Sequence, residues 1–151
     1  MALMEESPKF HPIGVVHSPY KCLSEAPYQG SGGDVSEIEI FSEYDRGLKD
    51  VEGFSHLIVL YWFHQSKGYS NLVNTPWDTV PHGVFATRSP RRPNPIGLCV
   101  VELLERKENL LYVKGLDAIE KTPVLDIKPY ILRDVKEGIC LGWLKGKGHQ
   151  G

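Results

Sequence analysis

Cysteine is scarce in this 151-residue chain, and the three present, Cys22, Cys99 and Cys140, are scattered and odd in number. No disulfide framework is expected, and without a Cys-x-x-Cys pair or a His/Cys cluster no metal site is expected either. Long apolar runs are also missing. The longest, residues 57–63, falls far short of the about 20 residues that cross a bilayer. Met1-Ala2-Leu3-Met4-Glu5-Glu6 has neither a basic start nor an apolar stretch, so a secretory leader and a membrane location are not expected and the cytoplasm is. Phosphate-cradling loops are absent. Gly30-Ser31-Gly32-Gly33-Asp34 lacks the last glycine of G-x-G-x-x-G, nothing like a βαβ unit follows, and there is no P-loop. No Gly-x-Ser-x-Gly elbow is present, and Cys99 lies in an apolar run where a packing role is expected rather than nucleophilic chemistry. Any adenosine cofactor therefore needs a different architecture.

Net charge is small, −2, and apolar content is an ordinary 41%. The charge is unevenly placed. Through His56 ten acidic residues face four basic ones, and from Leu57 onward thirteen basic residues face nine acidic ones. The second part of the chain can thus build a basic surface, which is compatible with nucleic acid without demanding it.

The pattern reads as mainly β in one domain, residues 10–144, preceded by a short extension, 1–9, and followed by a tail, 145–151, expected to be disordered. Residues 37–41 alternate apolar and polar with period two. Residues 56–64 are apolar throughout between two histidines, which predicts a strand buried on both faces. Residues 12–17 and 83–87 are further strand candidates. Residues 98–104 and 110–114, parted by Lys107-Glu108-Asn109, predict a hairpin, and 124–131 another strand with Pro129 at an edge or exit. Residues 44–52 give the best short helix, with Tyr44, Leu48 and Val51 on one face. The segments 26–36 and 68–81 read as loops. Short strands separated by turns suggest a small barrel or sandwich.

The most distinctive segment is 85–97, Phe-Ala-Thr-Arg-Ser-Pro-Arg-Arg-Pro-Asn-Pro-Ile-Gly. Pro90, Pro93 and Pro95 fix φ and extend their predecessors, so the loop is stiff and non-helical. It carries Arg88, Arg91 and Arg92, whose guanidinium forks suit carboxylate or phosphate. His64-Gln65 ends the most apolar strand, where a sheet opens toward a cleft; a hydrogen-bonded strand-end histidine is the plainer reading. Tyr28, in Pro27-Tyr28-Gln29 beside the glycine-rich loop, can stack on a base or simply face solvent. In Thr122-Pro-Val-Leu-Asp126-Ile-Lys128-Pro-Tyr130, Asp126 and Lys128 share a face if extended. An ion pair with the arginine loop explains them nearly as well as catalysis does.

Taken together, Ile13-Gly14-Val15-Val16-His17-Ser18-Pro19-Tyr20-Lys21, Gly53-Phe54-Ser55-His56, Phe63-His64-Gln65, the arginine–proline loop and residues 122–130 resemble the TsaA-like (YaeB/TrmO) family. The resemblance covers most of residues 10–133 with motifs in order. It implies a single-sheeted β-barrel with one or two short helices, and a homodimer with S-adenosylmethionine near the subunit boundary. The implied reaction is methylation of N6 of threonylcarbamoyladenosine next to the tRNA anticodon. The cofactor positions it implies are Pro27, Tyr28, Gln29, His64, Gln65, Arg88, Leu98, Ile119, Glu120, Lys121 and Thr122. The family commonly has Asp-Gly before Thr-Pro, where this chain has Glu120-Lys121, and often arginine where Tyr28 stands. His64 and Asp126 are both candidates for a general base, while Arg91, Arg92, Lys121 and Lys128 are candidates for RNA phosphates. Two other readings stay open: a protein that senses S-adenosylmethionine without methyl transfer, and a methyltransferase acting on another RNA or a small molecule.

Overall fold

In the computed structural model, residues 7–22, 24–26 and 33–147 are described. Among the described residues eight strands are present: β1 Gly14–His17, β2 Val35–Ile40, β3 His56–Trp62, β4 Leu72–Val73, β5 His82–Gly83, β6 Ile96–Lys107, β7 Leu110–Lys114 and β8 Pro123–Pro129. Six of them close into a barrel in the order β1-β2-β7-β6-β3-β8, and β4 with β5 forms a separate ribbon. Every barrel pairing is antiparallel, so alternate residues face the lumen and closure leaves no free edge. The expected mainly-β, single-sheeted barrel is the observed fold.

The lumen is the core. Val16, Ile38, Ile40, Leu57, Val59, Val101, Leu111, Val113 and Val124 are almost wholly buried and pack together. Side chains fill the interior of a barrel this small. The predicted helix at 44–52 is a 3-10 helix over Ser42–Leu48 followed by a turn at Val51–Gly53. It inserts Leu48 into the core. Arg106 fixes it there by donating from Nη1 to the Leu48 carbonyl and to Glu52 Oε2, both at 3.0 Å. β1 starts at Gly14 because a Cβ there would stand 2.3 Å from the Glu39 carbonyl oxygen, so only glycine lets β2 approach this closely.

Two sequence expectations change. β3 is not buried on both faces. Leu57, Val59 and Tyr61 point inward, while Ile58 and Leu60 are half-buried and Trp62 is exposed. The run looked doubly buried because the outer face of this barrel wall is itself apolar. In register, Trp62 faces Ile96, Leu60 faces Leu98 and Ile58 faces Val100, making an outward ladder of six apolar side chains. The segment 83–87 is not a strand either. Only His82–Gly83 pairs with β4, and Val84–Ala86 coils into a 3-10 turn closed by the Thr87 amide and hydroxyl on the Val84 carbonyl, 3.1 and 2.9 Å. The β6–β7 hairpin is as expected, with Glu108 at φ 54° in its tight turn. Among the described residues no helix is long and apolar enough to cross a membrane.

Candidate functional site at one mouth of the barrel

Antiparallel closure sorts the connections between the two ends of the barrel. Residues 41–55 and the β6–β7 turn lie at one end. At the other, β1 ends and β2 begins, β3 runs out into residues 63–95 before β6, and β7 turns through residues 115–122 into β8. This second mouth gathers most of the positions singled out in the sequence. His64 and Gln65 follow β3, Arg88 precedes β6, and Ile119, Glu120, Lys121 and Thr122 precede β8. Pro27, Tyr28 and Gln29 lie outside the described residues.

A narrow cleft of about 20 Å³ lies there, lined by Tyr61, Phe63, His64, Gln65, Ser66, Asp117, Ala118, Ile119 and Thr122. Its walls come from two of the expected segments, 64–65 and 119–122. The second is shaped by backbone. Thr122 is buried and donates its hydroxyl to the Ile119 carbonyl at 2.7 Å, while the Glu120 and Lys121 amides reach the Tyr20 and Val16 carbonyls at 2.7 and 2.9 Å. Lys121 sits at φ 69°, a left-handed conformation that favours glycine. The family's glycine before Thr-Pro therefore has a conformational reason, and this chain holds the same kind of turn with lysine. Glu120 is tied down by Lys21, Nζ to Oε2 3.2 Å, and stands 3.6 Å from His17 Nδ1. Burial pushes its carboxyl up, but Lys21, with backbone donors, outweighs this and holds it below the usual carboxylate range.

The arginine–proline loop is as constrained as its prolines predict. Ser66 Oγ donates to the Pro90 carbonyl at 2.9 Å and the Phe63 amide to the Pro95 carbonyl at 2.8 Å, fastening the loop beside His64. Arg92 turns inward, its Nη1 donating to the Thr87 and Ser89 carbonyls at 2.9 and 3.1 Å. Its guanidinium is thus engaged in shaping the loop. Arg88 and Arg91 are exposed, and Arg88 lies close enough to the Cys99 thiol to favour its ionised form. A further clamp comes from Trp143, whose ring stacks on His82 at 3.9 Å and whose Nε1 donates to the Ala86 carbonyl at 2.8 Å. His82 in turn bonds Asp78 at 2.9 Å.

Other expected positions lie apart from the cleft lining. Leu98 is exposed on the outer wall, opposite Leu60. Asp126 and Lys128 share a face of β8, as the sequence suggested, and pair with each other at 3.1 Å; Asp126 also accepts from the Ile127 amide at 2.8 Å. Tyr61 is only 2% exposed and points into the barrel. Its hydroxyl donates to Asp117 Oδ1 at 2.5 Å, and Phe63 meets its ring edge-on at 5.3 Å. Gly97 opposite it has no room for a side chain, since a Cβ would stand 2.4 Å from two Tyr61 ring carbons. Asp117 went unnoticed in the sequence. The available signal was a carboxylate set between Leu116 and Ala118, both buried, just after a strand end. Among the described residues no group of three or more His, Cys, Asp or Glu side chains is placed to hold a metal ion.

A closed barrel with one polar, aromatic-walled mouth beside an arginine loop defines the class as a small closed β-barrel domain. Residues 15–134 match the family profile of the tRNA-methyltransferase O N-terminal domain, and the chain belongs to that family. It is 54% identical to the S-adenosyl-L-methionine-binding protein of Archaeoglobus fulgidus over 137 residues, covering 90% of this chain and 96% of the relative. It is 40% identical to the Escherichia coli tRNA (adenine(37)-N6)-methyltransferase over 136 residues, covering 82% of this chain. The crystal structure of TrmO from Pseudomonas aeruginosa superposes with a TM-score of 0.75 at 32% identity over 91% of this chain. The chain spans 57% of the Escherichia coli enzyme and 62% of the Pseudomonas chain, less than two thirds of each.

Proposed function

We propose that the protein is an S-adenosylmethionine-dependent methyltransferase acting on N6 of threonylcarbamoyladenosine next to the tRNA anticodon. The observation that carries this reading is the convergence on one barrel mouth of His64-Gln65, the 119–122 turn and the loop of Arg88. These residues suit the donor: Phe63 and Ile119 offer apolar surface, Gln65 and backbone groups offer hydrogen bonds, and Asp117 offers negative charge. The donor supplies a methyl group already activated on a sulfonium, so positioning in a water-poor site is the protein's main contribution.

Arg88 is the residue for the donor's carboxylate, because a guanidinium fork matches it bidentately. The acceptor nitrogen is conjugated to a carbonyl and is a weak nucleophile, so a base helps by about 10²–10⁴-fold. His64 is the stronger candidate, since it lines the cleft whereas Asp126 is engaged by Lys128 outside it. Arg91, Lys121 and Lys128 are exposed and suited to RNA phosphates, with Arg92 contributing chiefly through loop shape.

Homodimerisation belongs to the same proposal. The outward ladder of Trp62, Ile96, Leu60, Leu98, Ile58 and Val100 is bordered by the Asp126–Lys128 pair, an apolar centre with a polar rim as at interfaces. Leu98, remote from its own cleft lining, then approaches the donor across the subunit boundary. Leu98→Asp should yield monomers in sedimentation analysis, and a wild-type protein monomeric at every concentration would refute the dimer. The cytoplasm, where tRNA resides, is the proposed compartment. Sensing without transfer is the second reading, favoured by the Archaeoglobus relative, which is named for binding alone. Incubating the protein with methyl-labelled donor and tRNA, then analysing nucleosides, separates the two. Label in the hypermodified adenosine supports the enzyme, and tight donor binding without transfer supports the sensor.

A further inference from the structure

We propose that Asp117, held in place by Tyr61, is the counter-ion for the donor's sulfonium and makes the cleft select the charged donor over its neutral demethylated product. The inference rests on the reading of the cleft as a methyl-donor site. Asp117 lines that cleft together with Phe63, His64 and Ile119. Its Oδ1 accepts the Tyr61 hydroxyl at 2.5 Å, and Tyr61 is itself locked by Gly97 beneath its ring and by Phe63 at its edge. The carboxylate therefore has a fixed position at the foot of the cleft, between the buried residues Leu116 and Ala118.

The phenol and the thiol beside it both stay neutral. Burial, then the nearby Asp117 charge, pushes the Tyr61 phenol far above its ordinary value, so it remains a hydrogen-bond donor. The Cys99 thiol is pushed up to about 12 by burial first and Asp117 next, despite the opposing influence of Arg88. It stays protonated and bonds the Gly115 carbonyl at 3.2 Å. An anion presented between aromatic side chains is a cation site: the Phe63 and Tyr61 rings add their quadrupoles to the carboxylate charge. The donor and its demethylated product differ at one atom, a sulfonium against a thioether. A carboxylate aimed at that atom binds the two differently, while Arg88 and the apolar walls treat them alike.

Calorimetry with S-adenosylmethionine and S-adenosylhomocysteine, on wild type and Asp117→Asn, reads this difference without any turnover. Asparagine keeps the shape and the acceptor for Tyr61 and removes the charge. The expected result is about tenfold weaker donor binding with the product's affinity changed less than about threefold, the size of one charge-assisted contact. Equal losses for both ligands, or no loss for either, would overturn the assignment while leaving the donor site standing. Sinefungin, which carries an amine cation where the product has its thioether, keeps the test open if the variant does not fold. Wild type should bind it more tightly than the product, and the reverse order overturns the proposal. Binding of none of the three by wild type would overturn the donor reading and this assignment with it.

Discussion

Replacing Gly97 with alanine probes the contact on which the mouth is built. The new Cβ would stand 2.4 Å from the Cε2 and Cζ atoms and 2.9 Å from the Cδ2 atom of Tyr61, where ordinary carbon contacts are about 3.5–4.0 Å. The ring must move by about 1 Å or the strands must separate, and overpacking of this kind costs about 1–3 kcal/mol. Moving the ring also strains the hydroxyl contact to Asp117, and compromising a hydrogen bond to a buried charged group adds about 1–3 kcal/mol. The expected destabilisation is about 2–6 kcal/mol, which at an m-value of about 1–3 kcal/mol/M shifts the urea midpoint by at least ~0.7 M. A Tyr61→Phe background isolates the two parts. Phenylalanine keeps the clash but has no hydroxyl to lose, so Gly97→Ala should cost less there by about 1 kcal/mol or more, read as a coupling energy in a double-mutant cycle. An unchanged midpoint in Gly97→Ala, or a coupling near zero, would refute the claim that Gly97 seats Tyr61 against Asp117.

Three other outcomes follow from the loops around the mouth. Arg88→Ala should weaken S-adenosylmethionine binding by about 1.5–3 kcal/mol if it holds the donor's carboxylate; unchanged affinity in a folded variant removes it from the site. Arg91→Ala should reduce the slope of log affinity for tRNA against log salt by about 0.7–0.9, one phosphate contact, with donor affinity intact. Arg92→Ala is a poorer probe because its carbonyl contacts to Thr87 and Ser89 shape the loop, and an identical slope in Arg91→Ala would move RNA off this face. The Trp143 clamp should respond to acid. Its hydrogen bond from His82, then the Thr79 amide, holds Asp78 below the usual carboxylate range. A depressed carboxylate stabilises the fold above its unfolded pKa, about 3.9, and that contribution is lost as pH falls through the lower folded value. Trp143 fluorescence should change in that acid window in wild type and not in Asp78→Asn; matching acid transitions would exclude the pair as its cause.

Much of the barrel was legible because lumen-facing and outward residues alternate. The strand at 37–41 and the hairpin across Glu108 were visible from period two and a polar break. β3 misled for a physical reason: its outward residues Ile58, Leu60 and Trp62 belong to an apolar ladder with β6, and local apolarity cannot tell a second buried face from an exposed interface. At the site, strand-end position pointed to His64-Gln65 and the family resemblance to residues 119–122, and His64, Gln65, Ile119 and Thr122 line one cleft. Asp117 was not legible, since a single carboxylate after a strand carries no motif and its meaning comes from Tyr61, 56 residues away. Nor could the sequence distribute tasks within the loop, where Arg92 binds its own backbone and Arg91 faces solvent.

The claim that the mouth beside His64 is the donor site is most directly tested by a crystal structure of the protein with S-adenosylhomocysteine. The ligand is expected between Phe63, Gln65 and Ile119, with its carboxylate toward Arg88 and its thioether toward Asp117. A second depression, lined by His11, Phe41, Glu43 and Tyr44 beside the start of β1, lies at the opposite end of the barrel. Ligand density there, with the His64 cleft open to solvent, would contradict the account.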